Sequence, residues 1–139
     1  MKTFLLEIVT PERVTFKDQV EFLAAPSYDG ELGVLPGHIP LLSELKTGLL
    51  RFKKEGEQET VAISGGFLEV HPDHVVVLAE TAELAEEIDA ERARQAAERA
   101  KSQLAAAGKG PDFAIAEAAL RRALIRLRAA ERIQRKPRP

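Results

Sequence analysis

The first 80 residues of the chain have a sequence pattern typical of β-strands. Short runs rich in Val, Ile, Leu and Phe are separated by Gly, Pro and Asp, a pattern typical of β-strands joined by tight turns. The predicted strands span residues 4–9, 14–16, 20–23, 48–52, 61–63, 67–70 and 75–78. Their close spacing predicts a small antiparallel β-sandwich or barrel.

A second pattern begins at Thr81, where Ala, Glu, Arg and Leu replace Val and Gly and favour helices. We expect Asp89 to cap a first helix that reaches about Ala106, because Gly, Lys, Gly and Pro follow at 108–111. We expect Asp112 to cap a second helix. Apolar residues recur at helical spacings at Ile88, Ala96, Ala97, Ala100 and Leu104, and again at Phe113, Ala116, Leu120, Leu124 and Leu127.

These two stripes predict an antiparallel two-helix hairpin. Its seam is rich in alanine, buries little area and is therefore expected to be weakly held and able to rearrange. The Arg/Pro-rich end at 135–139 is expected to be frayed.

Charge divides the chain between the same two regions. Residues 1–84 carry seven Lys/Arg against fourteen Asp/Glu, a net −7, whereas residues 85–139 carry thirteen against eight, a net +5. We therefore expect two domains, 1–84 and 85–139, with different partners. The sequence has no cysteine, which excludes disulfides, thiolate catalysis and cysteine-ligated zinc. No apolar run approaches the roughly 20 residues of a membrane helix, and we expect no cleavable signal because residues 1–4 lead directly into a strand.

Three segments resemble the signatures of one known family. The segment 30–42 (Gly-Glu-Leu-Gly-Val-Leu-Pro-Gly-His-Ile-Pro-Leu-Leu) is similar to the long signature of the epsilon subunit of F-type ATP synthase, and 64–70 (Ser-Gly-Gly-Phe-Leu-Glu-Val) resembles a second one. The segment 88–93 (Ile-Asp-Ala-Glu-Arg-Ala) resembles the nucleotide-binding motif of bacterial members. The resemblance implies a β-sandwich followed by two helices. It also implies a non-catalytic central-stalk subunit of a proton-translocating complex, which couples rotation to ATP synthesis and regulates ATP hydrolysis.

The resemblance also implies partners and a location. These are the gamma subunit, the ring of c subunits and the alpha and beta subunits, at the cytoplasmic face of a bacterial cell membrane, as a peripheral protein. It implies that Glu31 contacts the polar loops of the c ring and that His38 lies near gamma. We expect the basic second helix to meet an acidic stretch of the beta subunits through Arg121, Arg122, Arg126 and Arg128.

A regulatory ATP site is implied by the motif at 88–93. Nucleotide-binding members of the family carry residues that match Ile88, Asp89, Arg92, Ala93, Arg99, Arg122 and Arg126, and Glu83 and Arg94 lie nearby. Guanidinium groups from two helices bind a polyphosphate in bidentate fashion. No Walker loop follows the glycine pair at 65–66, so we expect ATP as a ligand that is not hydrolysed, with or without Mg²⁺, and no required cofactor.

The same residues have plainer interpretations. The arginines form a solvated face with local Glu counterions, His38 is a structural hydrogen-bonding residue, and 30–42 is a buried strand between two tight turns. The His-Pro-Asp-His segment at 71–74 is a hairpin turn and no metal site is expected, because a structural zinc site needs about four ligands.

Two other classes of function remain as alternatives. A nucleic-acid-binding hairpin is opposed by the acidic first domain and by the scarcity of aromatic residues beyond Phe113. A cupin-like barrel enzyme would need clustered His and carboxylate ligands, which the sequence does not provide.

Overall fold

The structure is a computed structural model that describes residues 2–135, with side chains up to residue 132. The chain divides into two compact units, the first ending at Leu84 and the second beginning at Ala85. The first unit consists of strands and the second of helices, so the predicted fold class of a β-sandwich followed by a helical hairpin is confirmed. Within the described residues, no helix is long and apolar enough to cross a membrane.

The first unit contains eight strands. In chain order they are β1 (Phe4–Val9), β2 (Val14–Val20), β3 (Phe22–Ser27), β4 (Gly30–Val34), β5 (Leu41–Leu45), β6 (Gly48–Lys54), β7 (Glu57–Val70) and β8 (His74–Leu84). The predicted strand at 20–23 is interrupted at Glu21, whose backbone N–H donates to the Lys53 carbonyl at 2.7 Å. The buried strand expected within 30–42 is wrong: the segment holds β4, which is mostly exposed, and the start of β5.

The strands form one sheet in the order β2-β1-β8-β7-β5-β3-β4, with β6 paired to both β3 and β7. All neighbours are antiparallel except β1 and β8. The long strand β7 pairs with β6 up to Ile63 and with β5 from Gly66 onwards. This change of partner folds the sheet into two layers around one core, to which every strand contributes at least one buried residue. Its largest fully buried side chains include Phe52, Leu6, Ile8, Leu23, Leu45, Leu50, Ile63 and Leu68.

The second unit starts with a single 3₁₀ turn (Ala85–Glu87), followed by α1 (Ala90–Ala106) and α2 (Pro111–Arg135). Asp89 caps α1 as predicted. Gly108, which follows the C-cap residue Ala107, has a φ of 70° and ends the helix in the left-handed region. The prediction that Asp112 caps the second helix is wrong. The helix begins at Pro111, whose missing N–H and fixed φ suit a first helical position, and Asp112 lies in the first turn.

Alanines form the seam between α1 and α2. Ala97, Ala100 and Ala123 are buried, and Leu120 and Leu127 pack against them. Leu124, which was predicted to lie on this face, is exposed, and Ala123 takes its place. Because alanine buries little apolar area, this seam contributes less hydrophobic free energy than a leucine seam of equal length. Of the predicted frayed end at 135–139, residues 136–139 lie outside the described part of the chain.

Candidate functional site

An apolar face covers the outer surface of the first unit across β5, β7 and β8. Leu42, Phe67 and Leu78 are 66%, 49% and 42% exposed, respectively. Phe67 and Leu78 are direct cross-strand neighbours, and Leu42 is paired with the residue two positions after Phe67, so all three side chains point to the same side. Exposed large apolar side chains that are contiguous mark interaction surfaces in soluble proteins.

A shallow depression of about 590 Å³ lies at one end of this apolar face. Its walls include Phe67 and Leu78 together with Val9, Pro11 and Tyr28, and the Tyr28 side chain is exposed. Carboxylates border the apolar side chains: Glu44 is paired with Phe67 and Glu69 with Leu42, Glu7 is paired with Val76, and Glu80 lines the depression. A partner that fits this surface has apolar side chains at its centre and basic side chains at its rim.

Two glycines lie at the point where β7 changes its pairing from β6 to β5, next to this surface. Gly65 and Gly66 have φ values of 60° and 125°, and a Cβ atom on Gly66 would lie only 1.9 Å from the Leu78 carbonyl oxygen. Glycine is therefore required for the close approach of β7 to β8. Next to this point, the buried hydroxyl of Ser64 is hydrogen-bonded to the hydroxyl of Thr81.

Glu31 and His38 lie in different local environments. Glu31, on β4, forms an ion pair with Arg51 of β6, with 2.5 Å between Oε1 and Nη2. His38 follows β4 and donates from Nδ1 to the Ile39 carbonyl at 2.6 Å, which fixes the orientation of its ring. The structure therefore pairs Glu31 with a residue that the sequence analysis did not single out.

His71 and His74 lie at the two ends of the tight turn between β7 and β8 that the sequence predicted. Their rings are stacked with centroids 4.4 Å apart, and each has a carboxylate neighbour, Glu69 and Asp73 respectively. The hydrogen bond from His74 holds the pKa of Asp73 below its usual value. No group of three or more His, Cys, Asp or Glu side chains among the described residues is arranged to hold a metal ion.

The start of α1 combines a cap with a buried apolar residue. Asp89 accepts a hydrogen bond at Oδ1 from the backbone N–H of Arg92 at 3.0 Å. Ile88 and Ala93 are buried, whereas the side chain of Arg92 is exposed. The carboxylate of Asp89 thus already satisfies one of the free N–H groups of the helix end.

Four arginines lie on one side of the hairpin. Arg92, Arg99, Arg122 and Arg126 each immediately precede a buried or seam residue, namely Ala93, Ala100, Ala123 and Leu127. Each is therefore rotated by about 100° from the seam in the same sense along its own helix. Because the two helices run in opposite directions, equal rotations place all four on the same side. Among the described residues, Arg92, Arg99 and Arg122 form no ion pair.

The remaining arginines lie on the other side. Arg121 and Arg128 directly follow the seam residues Leu120 and Leu127, and Arg94 directly follows Ala93, so the same rotation carries these three away from the first four. Arg121 is 3.4 Å from Glu117, and Arg94 is 2.6 Å from Glu91. The four arginines expected to meet the beta subunits are therefore divided, with Arg122 and Arg126 on one side of the hairpin and Arg121 and Arg128 on the other. Glu83 lies near the end of β8, in the first unit.

Sequence reasoning missed the apolar face and Arg51. An available signal for the apolar face was Phe67, an apolar residue at a position where strand alternation places Leu68 and Val70 in the core. No local pattern indicates that Arg51 reaches Glu31, because the two residues are 20 positions apart and their strands are not neighbours.

Known proteins are similar to the chain over nearly all of its length. Residues 3–85 match the family model described as ATP synthase, Delta/Epsilon chain, beta-sandwich domain, and residues 86–131 match the long alpha-helix domain of the same chain. The ATP synthase epsilon chain of Desulforamulus reducens is 50% identical over 130 residues, covering 94% of this chain and 98% of its own. That of Moorella thermoacetica is 52% identical over 131 residues, with the same coverage of both chains.

Solved structures give the same result. A chain in the mitochondrial ATP synthase of Euglena gracilis, determined with OSCP, F1 and the c-ring, has a TM-score of 0.78 and 27% identity, covering 93% of this chain and 81% of its own. A chain from the central stalk and c-ring of the Tetrahymena thermophila mitochondrial enzyme has a TM-score of 0.60 and 13% identity, which supports the fold alone.

Proposed function

Because the chain belongs to the ATP synthase delta/epsilon family, as an epsilon chain, we propose that it is the central-stalk subunit that couples rotation to ATP synthesis and restrains ATP hydrolysis through its helical hairpin. The proposed subunit has no catalytic role of its own. It is peripheral to the membrane, on the cytoplasmic side, and contacts gamma, the c ring and the alpha and beta subunits.

The observation that carries the docking role is the apolar face with its acidic rim. We assign this face to the gamma subunit, since a stalk subunit needs one firm attachment and this is the contiguous exposed apolar surface on β5, β7 and β8. Apolar and aromatic side chains at the centre of an interface supply most of its binding free energy. Phe67 and Leu78 occupy that position here.

Substitution of a charged residue at the centre of the apolar face tests whether this face binds the gamma subunit. We expect Phe67→Glu to weaken binding to gamma by about 2 kcal/mol or more, because it buries an unpaired carboxylate in an apolar contact. Ile115→Glu is the matched control, since it places the same charge at an exposed apolar position on α2. Affinity is measured by surface plasmon resonance with the full chain. Unchanged affinity of Phe67→Glu for gamma would assign the attachment to another surface.

The regulatory role rests on the four arginines that share one side of the hairpin. Like charges on neighbouring helical positions repel by roughly 0.2–0.5 kcal/mol per pair, and a triphosphate between the helices relieves this repulsion. The proposed ATP site contains Ile88, Asp89, Arg92, Ala93, Arg99, Arg122 and Arg126. Ile88 and Ala93 are buried beside the cap, so they are suited to shape the site and not to carry its charge.

ATP that binds only the compact hairpin shifts its population. The stabilisation is RT ln(1 + [L]/Kd), about 2.7 kcal/mol at a hundredfold excess of ATP over Kd. An alanine seam supplies little free energy of its own, so a contribution of this size decides between compact and extended hairpins. Low ATP then releases the hairpin towards the beta subunits, which Arg121, Arg122, Arg126 and Arg128 are proposed to meet.

Variants of two neighbouring arginines distinguish a specific ATP site from a non-specific attraction between ATP and the basic hairpin. We expect Arg122→Ala to weaken ATP binding by about tenfold, because it removes a charge-assisted hydrogen bond. Arg121→Ala removes the same charge from the opposite side of α2 and is expected to have little effect. Calorimetric titration of the full chain with ATP measures both. Equal losses in the two variants would indicate non-specific electrostatics, and no heat with no rise in Tm at millimolar ATP would reject the ATP site.

A further inference from the structure

The ion pair between Glu31 and Arg51 bridges two strands that are not neighbours in the sheet. Glu31 lies on β4, Arg51 lies on β6, and β3 runs between them. The Arg51 side chain is 26% exposed and the Glu31 side chain 53%. The Arg51 side chain is thus the more enclosed member of the pair.

Small residues leave room for this bridge. Ala24 of β3 is paired directly with Arg51 on one side and with Gly33 on the other, so all three lie on the same face of the sheet. Glu31 is two residues before Gly33 and shares that face. Neither Ala24 nor Gly33 carries a side chain that would block the path of the arginine. The ion pair therefore lies across Ala24 on the outer face of β3.

We propose that Arg51 is a positioning residue for the docking of β4, in which it holds Glu31 so that the partner meets a fixed, charge-neutral pair. This inference rests on the proposed contact between Glu31 and the c ring. Oε1 of Glu31 is already engaged, so Oε2 and the other guanidinium N–H groups face the partner. A polar loop without a net charge fits this surface, because it donates to Oε2 and accepts from the arginine.

A single cation on the partner fits less well. A cation that bound Oε1 of Glu31 would have to displace Arg51 from its 2.5 Å contact, and one that bound Oε2 would be repelled by the nearby guanidinium. The two modes differ in their response to salt, since an attraction between opposite net charges is screened and a neutral pair is affected little. The pair itself therefore adds little salt dependence to ring binding.

The test measures binding of the full chain, attached to gamma, to the detergent-purified c ring at low and high ionic strength. We expect Glu31→Ala and Arg51→Ala each to weaken binding by about tenfold, and the double alanine variant to be no weaker than either single one. The charge swap Glu31→Arg with Arg51→Glu restores the pair and is expected to recover affinity to within about threefold. Arg51→Ala is expected to increase the salt dependence of binding, because the charge of Glu31 is then not neutralised and interacts over a distance with the charged groups of the ring.

Lys53→Ala is the matched control, since it removes an exposed cation from the same strand without touching the pair. Intact ring binding in Arg51→Ala overturns the inference, as does a charge swap that binds as weakly as the single variants. Failure of the wild-type chain to bind the ring contradicts the proposed contact itself and this inference with it. Binding to gamma is measured in parallel and is expected to be unchanged in the Arg51 variants.

Discussion

The carboxylate of Asp89 and the backbone N–H of Arg92 are joined by a hydrogen bond of 3.0 Å that closes the first turn of α1. The acidic residue of the proposed ATP site is therefore also the helix cap. A change at Asp89 consequently acts on the helix before any ligand is present. The consequences for stability and for ATP binding are separable by the choice of substitution.

We predict that Asp89→Ala destabilises the hairpin by about 0.5–2 kcal/mol, whereas Asp89→Asn has little effect, because asparagine caps helices as well as aspartate. Hydrogen exchange at the Arg92 amide reports the cap directly. Asp89→Ala is also expected to weaken ATP binding. Equal loss of protection in the Asn and Ala variants would contradict the capping role.

Gly66 is predicted to be far less tolerant of substitution than Gly56. Gly66→Ala drives a Cβ atom into the backbone of β8 and is expected to destabilise the protein by more than about 3 kcal/mol. Gly56 also has a positive φ, of 81°, but nothing lies within 4 Å of its Cβ position. Gly56→Ala should cost only the conformational strain of about 1–2 kcal/mol. Urea unfolding of both variants checks the difference, and similar losses would refute the steric argument.

Asp18 and Lys54 are predicted to make stability depend on pH. The hydrogen bond from Lys54 lowers the pKa of Asp18 below its usual value of 3.8, and Asp18 in turn raises the pKa of Lys54 above 10.5. The stabilisation from Asp18 is present above its unfolded-state pKa and is lost as the pH falls through the lower folded-state pKa. The stabilisation from Lys54 is present below the unfolded-state pKa of Lys54 and is lost as the pH rises through its higher folded-state pKa.

Asp18→Asn should therefore lower Tm relative to the wild type at neutral pH, and this difference should disappear in strong acid, where the wild-type carboxylate is protonated. Glu12→Gln, which removes an exposed carboxylate from the same unit, is the control. Thermal unfolding followed by circular dichroism across the pH range measures both variants. A Tm difference for Asp18→Asn that is the same at every pH would exclude the ion pair as its cause.

Residues 1–84 are predicted to fold alone and to bind gamma without the helices. Every strand and the whole of the sandwich core lie within this segment, and the proposed gamma-binding face does too. Circular dichroism and a gamma-binding assay on a chain of residues 1–84 test the prediction. An unfolded chain, or a folded one that does not bind gamma, would contradict it.

Removal of residues 85–139 is predicted to raise ATP hydrolysis by the assembled enzyme while leaving rotary coupling mostly intact. The removed segment carries a net charge of +5 and supplies the arginines proposed to meet the beta subunits. The hydrolysis rate and proton pumping of reconstituted vesicles are the measurements. If hydrolysis is the same with and without the segment, inhibition in this enzyme resides in another subunit.

Features that depend only on neighbouring residues could be predicted from the amino-acid sequence. The strands of the first 80 residues, the cap at Asp89 and the helix exit at Gly108 follow from alternation, capping chemistry and backbone freedom, each of which acts within a few positions. The order of the segments and their local chemistry were sufficient for the fold class. They were not sufficient for the start of α2, because Pro111 and Asp112 are both plausible at a helix N-terminus and only the surrounding backbone decides between them.

Contacts between residues that are far apart in the sequence depend on the folded structure and could not be predicted from local patterns. The alanine at 123 replaced Leu124 in the seam because the contact with α1 sets the rotation of α2, and a shift of one residue turns a side chain by about 100°. The same rotation separates Arg122 from Arg121. The ion pair between Glu31 and Arg51 and the cross-strand contact between Phe67 and Leu78 both join segments that are distant in sequence and are brought together by strand pairing. Such pairings are fixed by the packing of the whole core, which no local pattern encodes.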